Sequence, residues 1–255
     1  MNEQKNLLLA IVASLIILLI FQYLFPTEKT EVKKKLDSFE EVEKIKPESK
    51  ILSRKTVIQN EERIYFSEKS RVIGSIALKG ARFDDLILKD YKESIAPDSK
   101  QVTLLSPQNT KIPYFIELGW MSQQNINLPN KESIWEIIEG KKLGPNTPIT
   151  IQWKSSEGLI FKRKIFIDEN FLISVEQEII NKTNKDFNLT QYGRINRTGT
   201  PKTSGFYILH EGPIAVLNNR LIEVDYDDLL EDGSVSAISR GGWIGITDKY
   251  WLAAL

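Results

Sequence analysis

The chain contains no cysteine. That absence excludes disulfides, thiolate metal sites and cysteine nucleophiles together. There is one histidine, His210, so histidine-rich metal centres and any chemistry needing two imidazoles are excluded as well. Net charge is lacking too, because 34 basic groups balance 34 acidic ones. A general nucleic-acid binder shows a basic face or stripe, so no nucleic-acid partner is expected. There is no G-x-S-x-G elbow, no G-x-x-x-x-G-K phosphate loop and no H-E-x-x-H pair. No catalytic, cofactor-binding or metal-ligating residue is nominated on these grounds, and no cofactor is expected.

Long apolar runs are scarce as well; the chain has a single one. Residues 7–25 read LLLAIVASLIILLIFQYLF, without a charge. At about 1.5 Å per residue, roughly 19 helical residues cover the ~30 Å hydrocarbon core of a bilayer. Ser14 can bond back to its own helix, and Gln22 lies near one end of the run. A cleaved signal peptide has a shorter apolar core followed by small residues. Here the run ends instead in Gln22, Tyr23, Leu24, Phe25 and Pro26, with aromatics placed as an interfacial belt. An uncleaved anchor in a lipid bilayer is the reading that fits. Charge alone does not orient it: Lys5 precedes the run, while Lys29, Lys33, Lys34 and Lys35 follow it, so the usual positive bias points the far side to the cytoplasm.

Beyond Pro26, to about Lys50, lysine and glutamate dominate. Such a stretch buries too little surface to offset chain entropy and reads as a solvated tether, with a mixed-charge helix over 31–46 as the other reading. The expected organisation is an anchor over 1–26, a charged linker over 27–54 and a β domain over 55–255.

The body is patterned for short strands. Residues 150–153 form one and KSSEG (154–158) a turn. Residues 159–167 follow with Phe161, Ile165 and Ile167 on one face and Lys162 and Lys164 on the other. In residues 171–180, Phe171, Ile173, Val175 and Ile179 alternate with Ser174, Glu176 and Glu178. A fourth strand is expected over 186–192, completing a meander of half-buried antiparallel strands. Asn218-Asn219, between apolar runs at 214–217 and 220–224, predicts a two-residue hairpin turn with positive φ. A second hairpin is expected from 57–59 and 63–66 across Asn60-Glu61-Glu62. Helical periodicity is confined to short stretches such as 225–230. The fold class is all-β, a sandwich or barrel.

Several residues invite a functional reading and receive a structural one. His210, beside Gly212-Pro213, reads as a turn or packing residue. Asn181, Asn188 and Asn196 match glycosylation acceptors by chance, Asn188 inside a predicted strand. Arg194, Arg197, Gly199 and Pro201 read as a strand end with solvated arginines. The GGWIG segment at 241–245 suggests a bulge or close backbone approach, and Trp243, Tyr250 and Trp251 read as sheet core ahead of a sugar groove.

The final stretch, GWIGITDKYWLAAL (residues 242–255), resembles the YidC-type membrane protein insertases of Gram-negative bacteria. The resemblance extends through His210-Glu211-Gly212-Pro213, Tyr192-Gly193-Arg194, the strand pair at 159–171 and the first apolar helix. It implies a first transmembrane helix entering from a cytoplasmic N-terminus and an antiparallel β-supersandwich, similar to sugar mutarotases, in the periplasm. It further implies an inner-membrane location, with the Sec translocon and nascent integral membrane proteins as partners. Insertion itself would belong to membrane-embedded core helices that are not in this sequence, so no insertase-site residue carries over. The expected protein is thus a non-enzymatic N-terminal part of an insertase, truncated inside its β domain, with an unpaired sheet edge and reduced stability. The alternatives are a membrane-anchored carbohydrate-binding or mutarotase-like protein, which a single histidine disfavours, and a plain spacer.

Overall fold

Alternation of apolar and polar side chains makes strands wherever one face can be buried, and in the computed structural model nearly every regular element is a strand. The structure describes residues 51–201, 210–248 and 250–255, preceded by Lys5, Asn6 and Val12 to Ser14. The chain divides into two compact units, Met1–Glu48 and Ser49–Leu255. In the first, the described residues are helical. The rest of the expected membrane helix, and the expected linker before Ile51, lie outside the described residues. Among the described residues no helix is long and apolar enough to cross a membrane.

In the second unit, helix α1 (Arg54–Gln59) leads into β1 (Arg63–Tyr65), β2 (Val72–Ala77), β3 (Arg82–Lys92), β4 (Gln101–Leu105) and β5 (Tyr114–Met121). Then follow β6 (Glu136–Glu139), β7 (Ile149–Lys154), β8 (Leu159–Ile167), β9 (Ile173–Asn181) and β10 (Thr190–Arg197). The last elements are β11 (Glu211–Leu217), β12 (Arg220–Glu223), α2 (Tyr226–Asp232), β13 (Gly242–Asp248) and β14 (Trp251–Ala254). They form three antiparallel sheets. The first runs β1-β2-β3-β5-β10 with β4 also on β3, the second β6-β7-β8-β9, and the third β12-β11-β13-β14.

Strand β8 shows why the first two sheets stack. Leu159, Phe161, Arg163, Ile165 and Ile167 are buried, and the residues between them are half-buried. The buried row joins Ile149, Ile151 and Trp135 of its own side to Ile64, Val72, Ile76, Phe83, Leu86 and Leu105 of the first sheet in one core cluster. The third sheet meets this core at its rim, through Ala253, Ile246 and Trp251. None of the large apolar side chains of β11, β12 and β13 is fully buried.

The hairpin expected at Asn218-Asn219 forms as read. Both residues have positive φ, 50° and 61°, and Leu217 faces Arg220 across the turn. A β-branched side chain in that left-handed region costs roughly 1–2 kcal/mol. Asn219→Val is therefore expected to lower the unfolding free energy by about that much in urea titrations, with Asn219→Gly close to neutral.

Two expectations fail. Val57 to Gln59 belong to α1 and form no hairpin. Ser53 caps that helix, its Oγ accepting from the Thr56 N–H at 3.2 Å, and Val57 alone supplies the buried contact. The meander also stops after three strands. β10 begins at Thr190 and leaves the second sheet to pair with β5, from Thr190–Met121 to Arg197–Tyr114. The residues before it, Asn188 included, are not in a ladder. Gln124 holds them instead: its Nε2 donates to the Asp186 carbonyl at 3.2 Å and its Oε1 accepts from the Asn188 N–H at 2.8 Å.

Candidate functional site

A β-bulge builds the most highly charged region of the interior. β2 and β3 stay in register as far as Ser75–Asp85, but Ile76 then faces Phe83, which leaves Asp84 as the extra residue. Adjacent strand residues ordinarily point to opposite faces, and a bulge re-aims one of them. Here both carboxylates enter one network through different partners. Arg63, whose side chain is fully buried, donates to Asp84 and, through Nε, to Ser75 Oγ at 2.7 Å. Ser75 Oγ in turn donates to Asp85 Oδ2 at 2.7 Å, and Arg54 reaches Asp85 from α1. Glu61 lies 3.2 Å from Arg63 and 3.6 Å from Arg82, which also donates to Gln108 Oε1 at 2.8 Å.

Three guanidinium groups thus balance three carboxylates. Burial, opposed by Arg63 and Arg82, pushes the Asp84 carboxyl up to about 6. In the unfolded chain an aspartate titrates near 3.9. The folded state therefore holds the extra proton between roughly pH 4 and pH 6, and this group's contribution to stability falls as pH rises through that window. Asp84→Asn keeps the shape and removes the titration. The stability of the parent minus that of Asp84→Asn is expected to decrease from pH 4 to 6 and then stay level. A difference that increases over the same range would show that pairing with Arg63 outweighs burial. Since the Asp84 side chain has no exposed surface, this carboxyl meets no substrate; the network it belongs to ties α1, β1, β2 and β3 together.

Sequence reasoning nominated none of these residues. The available signal was the run ARFDDLIL, in which two carboxylates interrupt a strand otherwise apolar enough for burial. Arg163 was missed in the same way. It stands on the apolar face of β8, donating to Gln177 Oε1 at 2.9 Å and to the carbonyls of Ala81 and Leu118 in the opposite sheet, with its guanidinium 4.5 Å from the centre of the Trp135 ring.

The residues singled out from sequence fall in separate places. His210 Nε2 donates to the Pro213 carbonyl at 2.9 Å, and its Nδ1 lies 3.5 Å from Asp225, so it ties the start of β11 to the cap of α2. Of the two arginines read as solvated, Arg194 is exposed and Arg197 is not. Arg194 pairs with Glu117. Arg197 is largely buried, bonds Asp248 at 2.6 Å and lies 4.6 Å from the centre of the Tyr114 ring, joining the first sheet to the third. Gly242 makes the expected close approach: its φ is 115°, and a Cβ there would fall 2.0 Å from the Val216 carbonyl oxygen. Trp243 and Trp251 do not share a groove. Trp243 faces Val216 at one end of β13, and Trp251 pairs with Asp248 at the other, about 17 Å along the strand. Trp251 packs edge-on against Tyr91 at 4.9 Å, while Tyr250 is exposed.

Concave surface lies elsewhere. A groove of about 710 Å³ runs past Arg54, Tyr65, Ile73, Lys89 and Lys142. A smaller cleft of about 180 Å³ opens between Leu104, Ile116, Val175 and Leu252. A third groove, of about 490 Å³, lies between the third sheet and α2. Among the described residues no group of three or more histidines and carboxylates is placed to hold a metal ion.

The family model described as the YidC periplasmic domain matches residues 68–255. The chain is 36% identical to the membrane protein insertase YidC of Pelagibacter ubique over 262 residues, 99% of this chain and 46% of that protein. It is 39% identical to the protein of the same name from Rickettsia bellii, covering 100% of this chain and 46% of the relative, and 38% identical to that of Rickettsia akari, covering 100% and 47%. The chain spans about half the length of the curated relatives it matches. On the strength of the match across most of its β domain, the chain belongs to the YidC family.

Proposed function

We propose that this chain is the N-terminal portion of a membrane protein insertase and supplies its anchor and periplasmic interaction domain. The observation that carries this reading is the family match over residues 68–255, which hold every strand from β2 to β14. The uncharged run at 7–25 supports a first transmembrane helix. Within the proposal, residues 1–26 anchor, 27–54 link and 55–255 form the periplasmic domain, completed as a mutarotase-like supersandwich. The N-terminus faces the cytoplasm, the host membrane is the bacterial inner membrane, and the whole protein hands nascent membrane proteins to the bilayer alone or with the Sec translocon. Anchoring and contact require no bond-making chemistry, which suits a domain whose most strongly shifted carboxyl is sealed inside it.

The test is complementation. In cells depleted of their own insertase, the full-length protein carrying this chain is expected to restore insertion of a reporter membrane protein. The 255-residue chain alone, having a single long apolar run, is expected to leave the depletion unrelieved. Failure of the full-length protein to restore insertion contradicts the reading. No observation favours a carbohydrate-active protein, since the two tryptophans that a sugar platform would need lie at opposite ends of β13.

A further inference from the structure

The groove between the third sheet and α2 combines two features that the fold alone does not explain. Its walls are apolar, from Ile214, Ile222, Val224, Leu229, Val235 and Ile244. Val235 and Ile244 are 57% and 44% exposed, and Leu230 and Ile238 beside them 76% and 84%. Apolar surface so concentrated marks an interaction site more often than chance exposure. Its rim is acidic. Between Arg220 and Arg240 stand Glu223, Asp225, Asp227, Asp228, Glu231 and Asp232, with no lysine or arginine.

Local structure accounts for only part of that charge. Asp227 and Asp228 lie in the first turn of α2, where they complement the helix dipole. Glu231 and Asp232 lie in the last turn, where negative charge opposes the dipole and no basic residue offsets it. Among the described residues none of these four is in an ion pair.

We propose that this groove docks a lysine- or arginine-rich amphipathic segment of a partner polypeptide, its apolar face against Ile222, Val235 and Ile244 and its cations against the α2 carboxylates. The charge selects this occupant over others. An anionic bilayer surface is repelled by six carboxylates. A second copy of the chain, meeting this one about a two-fold axis, would set acid against acid. A small apolar ligand would leave the rim unused. The proposal does not depend on the insertase reading.

The test uses the full chain in nanodiscs of uncharged lipid, with empty nanodiscs as the blank. Fluorescence anisotropy follows a labelled leucine–lysine amphipathic helical peptide, its leucine–glutamate counterpart and a scrambled leucine–lysine peptide. The first is expected to bind at least about tenfold more tightly than either other peptide, and to weaken about tenfold or more between roughly 50 and 300 mM salt as the charges are screened. Val235→Asp, on an exposed loop, and the pair Asp228→Lys with Glu231→Lys are each expected to weaken it about tenfold, with unchanged circular dichroism and melting. Absence of binding, equal binding of the acidic or scrambled peptide, or binding untouched by both variants overturns the proposal. So does binding by this chain that disappears in the full-length protein, because the groove is then filled by the protein's own chain.

Discussion

Replacing Arg163 by alanine is expected to lower the unfolding free energy by about 3–5 kcal/mol, the range for truncating a large buried side chain. In a domain of this size that corresponds to a fall in Tm of roughly 6–20 °C. Arg163 is 2% exposed, and among the described residues no carboxylate pairs with it. Burial pulls its pKa down to about 10, so it remains a cation at neutral pH. Its planar fork spans the interior. One edge holds Gln177 on the neighbouring strand, another holds carbonyls of the first sheet, and its face lies on Trp135. Alanine removes all of these contacts and leaves a void under the indole. Arg163→Lys keeps the charge but cannot bridge two carbonyls while stacking on a ring, so its cost is expected to approach that of alanine. Arg163→Met fills the volume and relieves a desolvated charge, so it is expected to cost clearly less. Chemical denaturation of the three variants checks the order; a lysine variant as stable as the parent would remove the case for a clamp between sheets.

Arg63→Ala is expected to cost a similar ~3–5 kcal/mol, for a different reason. Removing one member of a buried ion pair leaves the other without compensation. Asp84 would keep only Arg82, at 3.9 Å, while Ser75 and Glu61 would each lose a donor. Because Asp84 can escape by taking up a proton, the penalty is expected to shrink as pH falls toward 4. Replacing both partners by apolar residues of similar size is nearly neutral in comparable settings. Arg63→Met with Asp84→Leu should therefore lose less than Arg63→Met alone, and a double-mutant cycle in urea measures the coupling. Strict additivity would mean that the pair does not act as a unit.

These two sites also mark where sequence legibility ends. The β7 to β9 meander was readable because Phe161, Ile165 and Ile167 keep strict period-two spacing, and the hairpin at Asn218-Asn219 because its turn chemistry is local. α1 escaped because six residues show less than two helical periods, although Ser53 is a favoured N-cap residue type. The departure of β10 to the first sheet escaped because its partner, β5, lies far back in the chain and only packing selects it. Arg163 was hidden by its own alternation: a polar residue in an apolar row reads as an exception until the opposite sheet supplies its acceptors. The Arg63–Asp84–Asp85 network depends on a one-residue bulge, which periodicity does not announce. The family resemblance, by contrast, lay in contiguous residues at 242–255 and in the apolar run at 7–25, and needed no tertiary knowledge.

The proposed topology offers the most direct test of the central claim, a β domain standing on the periplasmic side of the inner membrane behind a single N-terminal anchor. The chain has no cysteine, so each introduced cysteine is its only thiol. Ser156→Cys lies in the exposed turn between β7 and β8, and Asn2→Cys precedes the apolar run. With a membrane-impermeant maleimide applied to intact spheroplasts, Ser156→Cys is expected to label fully and Asn2→Cys only after lysis. Protection of Ser156→Cys until lysis would place the β domain in the cytoplasm and contradict the claim.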